Sequence, residues 1–325
     1  MAILVTGAAG LVGRAAVAAL LRQGVEHVRA VVRDPGQVGD LRRLGAKVAL
    51  LDATDPDGLT AAMDGVFTAC SLTGSLWPRP GEDPYTSVVE PARVLLAAAS
   101  AAGVRRVVIC SPAAVTTPAA KDNPHLAAKA EVERMVADSG LEHAILRCTH
   151  VVGPAGRLLA LLTGPAPHRD PVLVPGDGRQ RVAPVWVGDV ADAIAAADDA
   201  PELPAATWSL AGPAELSFDD LVDTINGGPV GKRHLTPEDG EARGRWVGVP
   251  EQPGPGAGAG TGSSAGIAPG LPAGLSEGQL EVLAADSLGD PALPAPPGLV
   301  PTPLAEALAR SATGTGRGLP GGLDG

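Results

Sequence analysis

The sequence predicts an α/β protein built on a doubly wound parallel sheet, with a smaller C-terminal substrate domain. Three observations predict it. Up to about residue 154, short runs of Val, Ile, Leu and Ala alternate with helix-patterned segments, as strands do when crossover helices bury both faces of a sheet. The chain opens on MAILVTGAAGLVGR, an apolar run, a glycine turn and the start of a helix. After Pro154 the alternation stops and proline and glycine become frequent.

Ala2–Val5 supply the first strand, and Leu11 begins a helical pattern through Ala16, Leu20 and Leu21. Between them Gly7, Gly10 and Gly13 follow the order G-x-x-G-x-x-G. Each glycine would have its own task at a dinucleotide: a sharp turn, close approach of the main chain to a pyrophosphate, and close helix–strand packing. The free N–H groups and positive dipole end of the helix then face the anion. A signal peptide or membrane span is the bland alternative for this apolar opening. The three glycines, Arg14 and the lack of a basic leader argue against it.

The remaining elements follow in order. Residues 27–35, 46–55, 66–74, 105–112 and 141–154 read as further strands, and VGDLRRLG and LTAAMDG as short helices. A long helix runs from Pro84 to Ala102 and a second covers residues 125–140, each closed by glycine. APVWVGDVADAIAAADDA reads as a strand and a helix capped by Asp189, and Ser217 is placed to cap the helix of SFDDLVDTI. The expected organisation is a dinucleotide-binding domain over 1–154, a substrate region over 155–250, a Gly/Pro-rich flexible linker over 251–274, and short helices with a disordered tail over 275–325.

Only 2% of the chain is aromatic, so the core must come from Ala, Val and Leu. A net charge of −11 leaves no basic stripe for nucleic acid or anionic lipid, and favours a small-molecule partner. Cys70, Cys110 and Cys148 have no metal-type spacing and no even pairing. They read as reduced, buried thiols of a cytoplasmic protein, with no metal site expected.

With these segments in view, the chain resembles the short-chain dehydrogenase/reductase superfamily, in its extended and atypical branch of NAD-dependent epimerase/dehydratase-like and NmrA-like NAD(P)-binding proteins. The likeness is carried by TGAAGLVG, VVRDP, SPAAV, HLAAKAEVE, ILRCTHVVGP and GDGRQRVAPVWVGDVADAI, over roughly residues 1–225. It implies a Rossmann fold that binds a nicotinamide dinucleotide, and an oxidoreductase or epimerase-like activity on a small carbonyl or alcohol. A non-catalytic nucleotide-binding sensor or assembly protein is the alternative. Candidate cofactor contacts are Gly7, Ala9, Gly10, Leu11, Val12 and Gly13, with Arg33, Asp52, Leu72, Thr73, Gly74 and Lys129. The implied roles place Asp52 beside the adenine and Leu72–Gly74 under the nicotinamide ribose.

The family's usual catalytic groups are a Tyr-x-x-x-Lys pair and a Ser or Thr after the fifth strand. Lys129 is present, but His125 stands where the tyrosine belongs, and the sole tyrosine, Tyr85, lies elsewhere. Ser111 falls one residue early and Pro112 takes the hydroxyl's place. Three readings of His125 stand open: a surrogate acid–base working with Lys129, an exposed helix start with no role, or part of a pocket that binds without turnover. Arg33 followed by Asp34 favours NADP(H) over NAD(H), because a guanidinium accommodates the 2′-phosphate, with Arg14 able to assist. Arg147, Arg179 and Arg181 could meet an anionic substrate, although such arginines more often pair with a carboxylate.

Overall fold

The opening run folds as β1 (Ala2–Thr6), five residues all buried, and the computed structural model describes residues 2–74, 83–163, 171–203, 205–235 and 277–312. After it come α1 (Leu11–Arg22), β2 (His27–Val32), α2 (Val38–Leu44), β3 (Lys47–Leu50), α3 (Pro56–Ala62) and β4 (Val66–Ser71). A π-helical turn at Tyr85–Val89 leads into α4 (Glu90–Ala102), then β5 (Arg106–Pro112), α5 (Pro124–Ala137) and β6 (Glu142–Cys148). The second half holds β7 (Val151–Val152), α6 (Arg157–Thr163), β8 (Val172–Pro175), β9 (Arg181–Val182), β10 (Val185–Trp186) and α7 (Val187–Asp199). It ends with β11 (Ala206–Leu210), β12 (Leu216–Ser217), α8 (Phe218–Ile225), β13 (Lys232–Leu235), α9 (Glu277–Ala284) and α10 (Leu304–Ala312).

Seven strands form one sheet in the order β11-β6-β5-β4-β1-β2-β3, every pair parallel. One face is covered by α1 and α7 through Ala16, Val17, Leu20, Val190 and Ile194. The other is covered by α3, α4 and α5 through Leu59, Leu95, Ala99 and Val132. Each fully buried Leu, Ile or Val contributes about 1.5–3 kcal/mol, so small side chains suffice when both faces are sealed. The chain leaves β1 toward β2 and later returns to its other side as β4. Ligands of open α/β sheets bind in the crevice at such a reversal.

The division expected at residue 154 does not coincide with these layers. α7 packs on α1, and β11 adds to the sheet beside β6 in register Ala206↔Ala144 to Leu210↔Cys148. Arg106, fully buried, ties the join by donating to the carbonyls of Ala197, Asp198 and Ala200 at the end of α7, and to Glu142 at 2.8 Å. A second core gathers Val152, Leu158, Trp186, Phe218 and Leu283. Trp186 is thus a core residue, as its apolar strand predicts.

Other local expectations shift as well. The third strand is only Lys47–Leu50, and the sixth breaks after Cys148, with β7 pairing to β10 instead. Asp189 does not cap α7. It lies inside the first turn, 4% exposed, and accepts from both the N–H and the hydroxyl of Thr302 at 2.7 Å. Ser217 does cap α8, accepting from the Asp220 N–H. The expected linker and tail, 251–274 and the last dozen residues, lie outside the described residues. Among the described residues no helix is long and apolar enough to cross a membrane.

Candidate functional site

At the carboxyl end of β1 the chain turns through Gly7, which takes φ +66°, and the Gly10 N–H closes the turn on the Gly7 carbonyl at 3.0 Å. A side chain at Gly7 would collide with the Leu72 carbonyl, because the crossing chain after β4 passes directly against it. A Cβ at Gly13 would strike the Gly7 carbonyl and approach Ala8 Cα to 2.7 Å. No side chain caps α1 at Gly10. The first-turn N–H groups of Leu11, Val12 and Gly13 have no intrahelical acceptors. A bare helix end beside glycine backbone has the free N–H groups that an anion such as a pyrophosphate would need. Ala9 contributes differently, its carbonyl accepting from Arg14 Nε at 3.0 Å.

Across the crevice, Leu72–Gly74 form the loop leaving β4, with Gly74 at φ +78°. Lys129 on α5 reaches this loop: its Nζ donates to the Thr73 carbonyl at 3.0 Å. Lys129 is 7% exposed. Burial lowers its pKa to about 8, against the nearby Cys110, Glu133 and Cys148, which raise it. The structure brings Lys129, Thr73, Gly74 and Gly7 together.

His125 lies one turn before Lys129, and Asn123 caps the helix by accepting from the His125 and Leu126 N–H groups at 3.1 Å. The reading of an exposed helix start is overturned, since His125 is only 9% exposed. Neither ring nitrogen has a hydrogen-bond partner among the described residues. Burial, and secondly the charge of Lys129, bring its pKa down to about 4, so the imidazole is neutral at pH 7. Ser111 is buried too, 3% exposed, with its hydroxyl unpartnered among the described residues.

One turn beyond Lys129 stands Glu133, a residue that the motif reading passed over. It holds Arg147 of β6 through Nε and Nη2, the latter at 2.7 Å. The signal was the i, i+4, i+8 spacing of His125, Lys129 and Glu133, which puts all three on one helix face. Arg181 likewise pairs with Glu215 at 2.5 Å. Both arginines follow the carboxylate-pairing alternative.

Beyond β2, Arg33 is exposed, makes no hydrogen bond or ion pair among the described residues, and its charge acts on Asp52. The Asp34 carboxylate is turned onto the Gly36 N–H at 2.8 Å. Asp52 accepts from the N–H and hydroxyl of Thr54, which chiefly lower its pKa, and Asp55 rather than Asp52 caps α3. Arg14, expected to assist at a phosphate, instead pairs with Asp40 at 2.9 Å. Among the described residues no three His, Cys, Asp or Glu side chains are grouped to hold a metal.

A family model described as NAD(P)H-binding matches residues 7–201. A 3-diazoavenalumate denitrifying reductase from Streptomyces sp is 30% identical over 201 residues, 51% of this chain and 64% of that protein. The chain spans less than two thirds of the length of the curated relatives it matches, and 47% of quinone oxidoreductase 2 from Escherichia coli (strain K12), at 29% identity over 147 residues and 45% of this chain. In fold, it is similar to the triphenylmethane reductase of Citrobacter sp. solved with NADP(H), at TM-score 0.70 and 18% identity over 96% of this chain and 100% of that one.

Proposed function

Because the chain belongs to the NAD(P)H-binding family, we propose that it is an NADP(H)-dependent reductase of the atypical short-chain dehydrogenase/reductase kind, acting on a small electrophile that needs no proton from the protein. The observation that carries the reading is Lys129, whose ammonium is fixed on the Thr73 carbonyl in the loop facing the Gly7 turn. A bound nicotinamide supplies hydride. The protein's residues do the rest: N–H groups of Leu11, Val12 and Gly13 hold the pyrophosphate, Lys129 holds the ribose, and Leu72–Gly74 pass beneath it. Asp52 stands by the adenine, and Arg33, exposed and unpaired among the described residues, offers its guanidinium to a 2′-phosphate while Asp34 is occupied by its own turn.

The choice of electrophile rests on the two side chains that would replace the family's acid, Lys129 being held on the Thr73 carbonyl. The sole tyrosine, Tyr85, is exposed before α4 and interacts with Arg93. His125 is neutral, so it can accept or share a hydrogen bond but holds no acidic proton to give at pH 7. A simple ketone needs a proton as hydride arrives, whereas a conjugated acceptor takes it afterwards from water. The names of a relative and of a fold neighbour, a diazo-compound reductase and a triphenylmethane reductase, support the same class.

The test is NADPH consumption with a quinone, an enone and a simple ketone. Turnover on the conjugated acceptors, with the ketone at background, is expected. Tight nucleotide binding with no turnover on any acceptor would make the protein the sensor instead.

A further inference from the structure

We propose that Glu133 is a positioning residue for the nucleotide site: seated on Arg147, it sets a negative charge one turn behind Lys129 and keeps that buried amine an ammonium at neutral pH. What the ammonium then holds rests on the reductase reading above.

Burying a lysine favours its neutral form, because the charged form loses its water. Lys129 is 7% exposed, and among the described residues its Nζ donates to the Thr73 carbonyl, an uncharged acceptor. Few charges face it. His125, one turn earlier on α5, is neutral at pH 7. Cys110 of β5 and Cys148 of β6 act on it from the sheet, and the Cys148 thiol, pushed well up by its hydrogen bond with Cys110 and by burial, keeps its proton. Val88, from the turn before α4, meets it at Gly74. On α4, Glu90 and Arg93 pair with each other, and Lys121, ahead of α5, is exposed. Glu133 is thus the one carboxylate among the groups that raise the Lys129 pKa against burial.

Glu133 is itself buried, 7% exposed. A carboxylate in such a place needs partners, and Arg147 of β6 supplies them. Its Nε lies 3.2 Å from each carboxylate oxygen and its Nη2 2.7 Å from one of them. This fork fixes the carboxylate on the helix face that carries Lys129. At i, i+4 spacing the two Cβ atoms are about 6 Å apart. The groups acting on Lys129 include Glu133 but not Arg147, so the carboxylate is the nearer charge. In a partly buried site, with the guanidinium offsetting part of it, that charge moves the lysine's titration by about one pH unit.

The chain has four lysines, Lys47, Lys121, Lys129 and Lys232, so NMR of the nucleotide-free full chain labelled with ¹³C at lysine Cε follows Lys129 directly. Its signal is the one lost in Lys129→Met. Wild type should titrate at about 8, and Glu133→Gln about one pH unit lower. Glu133→Asp, which keeps the charge, should recover at least half of that shift. Fluorescence titration of NADPH reads the consequence: Glu133→Gln should bind about threefold more weakly at pH 7.5 and as well as wild type at pH 6, where Lys129 is protonated in both. A merely structural role would weaken binding at both pH values and leave the lysine titration unmoved. Thermal melting verifies each variant. Should Glu133→Gln fail to fold, Glu133→Gln/Arg147→Met, which removes both partners of the ion pair, takes its place with a shift in the same direction. An unmoved Lys129 titration overturns the proposal. A shifted titration in a chain whose wild type binds no NADPH upholds the hold of Glu133 on Lys129 and sinks the reductase reading instead.

Discussion

Lys129 and His125 share one buried face of α5 a single turn apart, and only the lysine is hydrogen-bonded: its Nζ meets the Thr73 carbonyl at 3.0 Å, while both imidazole nitrogens stand without partners among the described residues. A shared face therefore carries two different tasks. The ammonium is fixed on the Thr73 carbonyl, where the proposed function has it hold the nucleotide, and the imidazole is a neutral wall.

His125→Phe should retain at least about half of the turnover on a conjugated acceptor. It should also leave the melting temperature unchanged or raise it, because an apolar ring replaces a buried polar group that has no partner. Steady-state rates and thermal melting check this. A loss of a hundredfold or more in kcat would restore the acid–base role to His125.

The same residue makes stability depend on pH. His125 and His150 are both held to about 4 when folded, chiefly by burial, against about 6.5 unfolded. The unfolded chain therefore binds up to two more protons between pH 6.5 and 4, so stability rises with pH across that window. Their contribution is present above pH 6.5 and is lost as pH falls through about 4. The melting temperature of wild type should drop over this range, and His125→Phe should flatten the slope.

Lys129→Met should weaken NADPH binding about tenfold, the worth of one charged hydrogen bond. In wild type the affinity should fall as pH rises through about 8, where the ammonium loses its proton. Fluorescence titration of NADPH at pH 6.5 and 9 reads both effects. Identical affinities at the two pH values would remove Lys129 from the site.

Gly13→Ala should damage both stability and binding. Alanine ordinarily gains on glycine in a helix by about 1 kcal/mol, but here its Cβ meets the backbone of Gly7 and Ala8, which cannot swing aside. Melting and NADPH titration of the variant check this. A stabilised variant with normal affinity would contradict the packing described.

The glycine turn and the alternation of strands and helices were legible because each rests on local spacing, and Lys129 was legible through the resemblance to the family's motif. β11 was not. Nothing in TWSLAG says that its neighbour is β6, some sixty residues earlier, and pairing at that distance is decided by the whole layer. Asp189 looked like a cap because caps are read from nearby residues, whereas its partner, Thr302, is 113 residues away. Glu133 hid in plain periodicity: its spacing was visible, but its meaning depends on Arg147 arriving from the next strand.

The central claim is that the turn at Gly7–Gly13, facing Lys129, receives a nicotinamide dinucleotide. Titration of the full chain with NADPH and with NADH, followed by nicotinamide fluorescence, tests it most directly. Saturable enhancement with NADPH, weaker with NADH and weakened further by Lys129→Met, is the predicted result. No change with either nucleotide would contradict it.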